Sequence, residues 1–160
     1  LIAKKMGYDV EWVGPLPLTR LVHMVKNGTV DVYPLALRYP DMDAFMHFAS
    51  SPFYYAQGVL VVSINNPLNE IETIEDIMPL RINWIDTVPA SPFIRENTEH
   101  LNIELTTPTK LIWKQLLSKL TLGRVDAVHD LNLFTLPLEA KKWGFEKKIK
   151  ISSLHSNGFD

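Results

Sequence analysis

The chain has 160 residues, 46% of them hydrophobic and 21% charged, an ordinary balance for a protein able to bury a core. Lys plus Arg is 16 and Asp plus Glu is 18, so the net charge is −2, and no electrostatic case exists for nucleic acid or for an anionic membrane surface. The absence of cysteine excludes disulfides, CxxC redox sites and thiolate metal sites, and no apolar run approaches the roughly 18 residues a membrane span needs.

Leu1–Met6 reads as the tail of an amphipathic helix closed by Gly7, so the chain is expected to begin in mid-fold, with any export signal upstream. Tyr8–Val13 alternates apolar and polar residues, as a half-buried strand does. Leu16–Asn27 places Leu18, Leu21, Val22 and Val25 on one helical face, and Gly28 supplies a left-handed stop. Val30–Leu35 is then expected as a strand, and Val59–Ser63 as another. Asn65-Asn66-Pro67 breaks the pattern, and a hinge is expected there.

Beyond the break the rhythm restarts. Thr73–Asp76 looks like a short capped helix and Leu80–Trp84 like a strand. Ser91-Pro92 opens a helix, because serine caps and proline tolerates the first helical position. A strand is expected over Ile103–Leu105, and a helix capped by Thr109 runs to Leu122, with Trp113, Leu116, Leu117 and Leu120 on one face. Strand Val125–His129, helix Pro137–Trp143 and strand Lys148–Ser152 complete the series. Alternating β and α elements predict an open, mainly parallel α/β sheet, and the break divides the run into two lobes. The expected division is lobe one over 1–64, lobe two over 65–153, and a return crossing beginning at 154–160.

Two segments repeat a pattern: a helix end followed by Gly28-Thr29-Val30-Asp31, and another followed by Gly123-Arg124-Val125-Asp126. With Phe48-Ala49-Ser50-Ser51-Pro52-Phe53-Tyr54 before the apolar Gly58–Ser63, the chain resembles the family 3 extracellular solute-binding proteins. The resemblance covers nearly the whole chain in the family's order, although the family's opening strand and closing segment are missing, leaving lobe one incomplete. It implies a periplasmic, monomeric, two-lobed receptor of the periplasmic-binding-protein type, closing by hinge motion around a small polar or anionic ligand. It further implies service to an ABC transporter membrane component, with no cofactor, no metal, no nucleic acid and no membrane insertion. An extracellular sensory module of the same fold is the alternative.

Ligands of open α/β sheets sit beyond the carboxyl ends of strands, which selects loops Tyr33–Pro40, Asp86–Phe93 and His129–Asn132. The resemblance places there, in amino-acid-binding members, an arginine that clamps the ligand carboxylate and an aspartate that holds its ammonium. Asp43 and Leu131 stand at those two places here, so ordinary α-amino acids are not expected as ligands. The candidate binding residues are Arg38, Tyr33, Trp84, Asp86, Thr87, Ser91 and Asp130. Four of them have a plainer role beside the functional one: an ion pair with Asp41 or Asp43 for Arg38, core packing for Tyr33 and Trp84, and helix capping for Ser91.

No enzymatic motif occurs. The five histidines lack metal-ligand spacing, and there is no P-loop, dinucleotide turn or G-x-S-x-G. A dehydratase of this fold would need a carboxylate held in the cleft, and Asp86 and Asp130 are the only candidates. The chain is therefore read as a non-enzyme.

Overall fold

The computed structural model describes all residues except 1, 15, 35, 39, 53–55, 57, 132–134 and 155–160. Two compact units emerge, Leu1–Tyr54 and Tyr55–Asp160.

In the first unit, helix α1 spans Ile2–Lys5 and α2 spans Leu18–Lys26. Gly28 (φ +72°) takes the left-handed conformation expected after α2. Among the described residues this unit has no strand and no fully buried side chain. The expected strands Tyr8–Val13 and Val30–Leu35 are thus not formed, and Trp12 is 80% exposed. Alternation marks a face that can be buried, but a strand exists only when a neighbour accepts and donates its backbone hydrogen bonds.

The second unit carries one six-stranded sheet: β1 (Val59–Ser63), β2 (Glu70–Ile71), β3 (Arg81–Ile85), β4 (Asn102–Thr106), β5 (Ala127–Asp130) and β6 (Ile149–Leu154). The strand order is β2-β6-β1-β5-β3-β4. β3 runs parallel to β4 and β5, β2 runs parallel to β6, and β1 is antiparallel to both its neighbours. The mainly parallel α/β sheet expected from the sequence is therefore present, with one reversed strand at its centre.

That central strand moves the division between units. Val59–Ser63 was expected to close lobe one, yet β1 pairs with β5 and β6 and belongs to the second unit. The division at Tyr54/Tyr55 accordingly lies upstream of the expected 64/65 boundary. Asn65–Pro67 is the turn leading from β1 toward β2, where Asn66 N donates to Ser63 O and Asn66 Oδ1 accepts from Leu68 N. An apolar run signals a buried strand but not which sheet receives it, and the partners here lie about seventy to ninety residues downstream. Of the return crossing expected to begin at 154–160, Leu154 ends β6 and 155–160 lie outside the described residues, as do Phe53 and Tyr54.

Helices cover both faces of the sheet. On one face α4 (Ile112–Thr121) and α5 (Thr135–Lys142) bring Leu116, Leu117, Leu120, Leu136 and Ala140 onto Val59, Val61 and Val128. On the other, α3 (Pro92–Glu96) inserts Ile94 among Leu60, Val62, Ile82 and Ala127. Full burial of each such aliphatic side chain contributes about 1.5–3 kcal/mol. Thr109 is not the cap of α4; it makes the preceding turn, accepting at Oγ1 from Leu111 N (3.3 Å), and Leu111 holds the N-cap position.

The repeated G-x-V-D pattern acquires a structural role at its second occurrence. Asp126 accepts from Arg81 N (2.9 Å), Nε (2.8 Å) and Nη2 (2.9 Å), while Arg81 Nη2 also donates to Gly123 O (2.8 Å). The guanidinium holds the Asp126 carboxyl below the usual carboxylate range. This clamp ties together the starts of the parallel strands β3 and β5, the end of the sheet opposite the candidate site. Asp31, in the first occurrence, is exposed and stands outside any strand.

Candidate functional site

Parallel strands β3 and β5 end at the same edge of the sheet, and antiparallel β1 begins there, with Val59 opposite Asp130. The register pairs Trp84 with His129, so the next residues of each strand and the loops after them must emerge together. Five sequence candidates, Trp84, Asp86, Thr87, Ser91 and Asp130, are thereby collected at one edge by backbone geometry alone. This is the end of an α/β sheet where ligands are held.

Trp84 is half-buried, and its Nε1–H donates to Val88 O at 2.6 Å. Its ring lies 5.1 Å from that of His129 at an interplanar angle of 60°. The indole thus packs on the core and pins the β3–α3 loop, the plainer of its two expected roles. Ser91 is completely buried and its Oγ accepts from Ile94 N at 3.4 Å, so its side chain acts as the cap of α3. Asp86 is exposed; its N–H donates to Thr106 O (3.1 Å) and its Oδ2 accepts from Thr107 Oγ1 (3.4 Å). These contacts fasten the loop to the end of β4. Thr87 is exposed at the loop's tip. Asp130 is only 5% exposed, and its Oδ1 accepts from Leu131 N at 2.8 Å. Asn132, at the end of the third expected loop, lies outside the described residues.

The other two candidates belong to the first unit. Tyr33 is half-buried, and desolvation raises its phenol above the usual range. Arg38 forms a bidentate pair with Asp43, Nε to Oδ1 at 2.9 Å and Nη2 to Oδ2 at 3.0 Å. Its side chain is 65% exposed, with Cζ 5.5 Å from the Phe48 ring centroid. The arginine that was to clamp a ligand has its fork occupied by an internal carboxylate. The partner is Asp43, which by sequence was expected at the arginine place of amino-acid receptors.

Two buried polar side chains escape a motif search. His129 is completely buried between Leu60 of β1 and Trp84 of β3, and among the described residues neither ring nitrogen has a hydrogen-bond partner. Burial pushes its imidazole down to about 4, so the ring is neutral near pH 7. Asn83, also fully buried, accepts from Thr106 Oγ1 (2.9 Å), and its Nδ2 has no partner. The available signal was periodicity: each polar residue falls within an apolar strand. Among the described residues no group of three or more His, Asp or Glu could hold a metal ion, and no helix is long and apolar enough to cross a membrane.

No family model matches the chain, and no curated protein matches its sequence. Solved structures do match its fold. An ancestral arginine-binding protein bound to glutamine is 19% identical with a TM-score of 0.66, covering 99% of this chain and 66% of that one. The periplasmic VFT2 domain of BvgS from Bordetella pertussis is 15% identical with a TM-score of 0.70, covering 95% and 61%. The amino acid ABC transporter substrate-binding protein AbpA from Streptococcus pneumoniae, bound to L-arginine, is 17% identical with a TM-score of 0.66, covering 98% and 62%. The chain spans just under two thirds of the length of these structures. The fold is that of periplasmic binding proteins.

Proposed function

We propose that the chain is the larger part of a solute-binding protein, capturing a small polar ligand outside the cell membrane and delivering it to an ABC transporter. The observation that carries this reading is the gathering of Trp84, Asp86, Thr87, Ser91 and Asp130 at the carboxyl edge of the second unit's sheet. The fold match to transporter substrate-binding proteins supports it. Hinge closure, a periplasmic location and a monomeric state follow from the same reading.

Side-chain chemistry narrows the ligand. The edge carries the exposed carboxylate of Asp86, the nearly buried carboxylate of Asp130, which accepts from Leu131 N, and a loop pinned by Trp84 and Ser91. Such a wall suits a ligand that donates hydrogen bonds through hydroxyl, amide or ammonium groups. Arg38, in the first unit, has its guanidinium fork paired with Asp43. With Asp43 and Leu131 at the two anchor positions, ordinary L-α-amino acids are expected to bind weakly. Titration calorimetry of the full-length protein against an amino-acid panel including arginine and glutamine tests this. Micromolar binding of any member would overturn this expectation.

A second reading, a sensory module in the extracellular part of a signalling protein, is favoured by the match to BvgS at a TM-score of 0.70. The sequence adjoining this segment in the full gene product separates the two. An enzymatic reading rests only on Asp86 and Asp130, and among the described residues no group of three or more His, Asp or Glu could hold a metal ion.

A further inference from the structure

β4 is the last strand of the sheet, paired with β3 on one side only. Its outer side presents backbone N–H and C=O groups, a template to which another extended chain can add. Proteins blunt such edges with proline, bulges or charge. Asn102–Thr106 has no proline, and Leu105 on it is 61% exposed. On the α4 side of the edge lies a groove of about 470 Å³, lined by Thr106, Leu111, Lys114, Lys119, Leu122 and Arg124 among others. Leu111 and Leu122 are 48% and 68% exposed, so the groove has apolar ground.

Three basic side chains, Lys114, Lys119 and Arg124, line the groove, and Glu104 is the one acidic residue of the strand beside it. Lys119 Nζ donates to Glu104 Oε1 on the strand, and Lys114 Nζ lies 5.0 Å from the Trp143 ring centroid. Arg124 is exposed at the far end. Edge protection accounts for the Lys119–Glu104 pair, but not for two exposed leucines lining a basic groove. A second copy pairing edge to edge would bring basic rims together, which costs stability. The complementary occupant is acidic and apolar by turns.

We propose that β4 and the adjoining groove dock an extended acidic segment of a partner protein, which adds a strand to the sheet and seats apolar side chains on Leu111 and Leu122. The surface lies wholly in the second unit and is independent of the ligand-binding reading.

The test uses the chain with two synthetic probes: short capped peptides alternating valine with glutamate or valine with lysine. Fluorescence anisotropy should show the glutamate peptide binding at least about tenfold more tightly, as expected for two or three partly exposed ion pairs. Hydrogen exchange should slow in 102–106 when it binds. Lys114→Glu with Arg124→Glu should reverse the preference, and Leu122→Ser should weaken binding with an unchanged Tm. Equal affinity for both peptides, no protection of 102–106, or concentration-dependent dimerisation through this edge would overturn the proposal.

Discussion

Lowering the pH should destabilise the second unit through His129. The folded-state value is about 4 against an unfolded value of 6.5, because burial without a hydrogen-bond partner disfavours the imidazolium. Between these values the unfolded chain binds the extra proton, so stability is fully present above pH 6.5 and falls as the pH drops toward 4. The interval corresponds to about 3 kcal/mol at about 1.4 kcal/mol per unit, a large share of the 5–15 kcal/mol typical of a domain. Asp76 and Asp126 are held below the ordinary 3.8, so their contribution is lost only below that value. Urea unfolding from about pH 7 to about pH 4 reads the His129 window. His129→Leu, of similar volume, should flatten the curve in this window and gain about 1–3 kcal/mol near pH 4 relative to the parent, since two unpartnered nitrogens disappear. Parallel curves for parent and variant would refute the account and place the acid sensitivity elsewhere.

Two further outcomes follow from the site. Trp84→Phe keeps the ring against His129 but removes the bond to Val88 O; it should cost about 1 kcal/mol and speed hydrogen exchange across 86–90, and unchanged exchange there would show that Ser91 alone sets the loop. Arg38→Ala breaks an exposed pair with Asp43, so the Tm should barely move; a Tm lowered by several degrees would show that the pair holds the first unit together.

How much of this was legible in the sequence varied by element. The second unit's helices and strands were largely readable, because their apolar positions recur at helical or strand spacing and Gly123 or Ser91-Pro92 punctuates them. The cap of α4 was misplaced because a threonine before a helix can serve a turn as well as a cap. The collection of Trp84, Asp86, Thr87, Ser91 and Asp130 at one edge was also readable, since parallel strands with helical crossovers deliver all their carboxyl ends to one side. The occupation of Arg38 by Asp43 was visible only as one of two alternatives. Spacing five residues apart in a loop does not say whether side chains meet.

Local order along the chain, then, set the βα rhythm, the turns at Gly28 and Gly123, and the identity of the buried faces, because these depend on interactions among near neighbours. Pairing was decided elsewhere. Val59–Val62 is an apolar run compatible with either lobe, and only hydrogen bonds to Ala127–Asp130 and Lys150–Ser153 draw it into the second unit. Tyr8–Val13 alternates as a strand should and forms none, for want of a partner ladder among the described residues. His129, one residue inside the end of β5, becomes a buried neutral base only because Leu60 and Trp84 close over it from distant parts of the chain. A single strand's pattern specifies which side chains seek burial; what buries them, and at what cost to their charge, is a property of the assembled sheet.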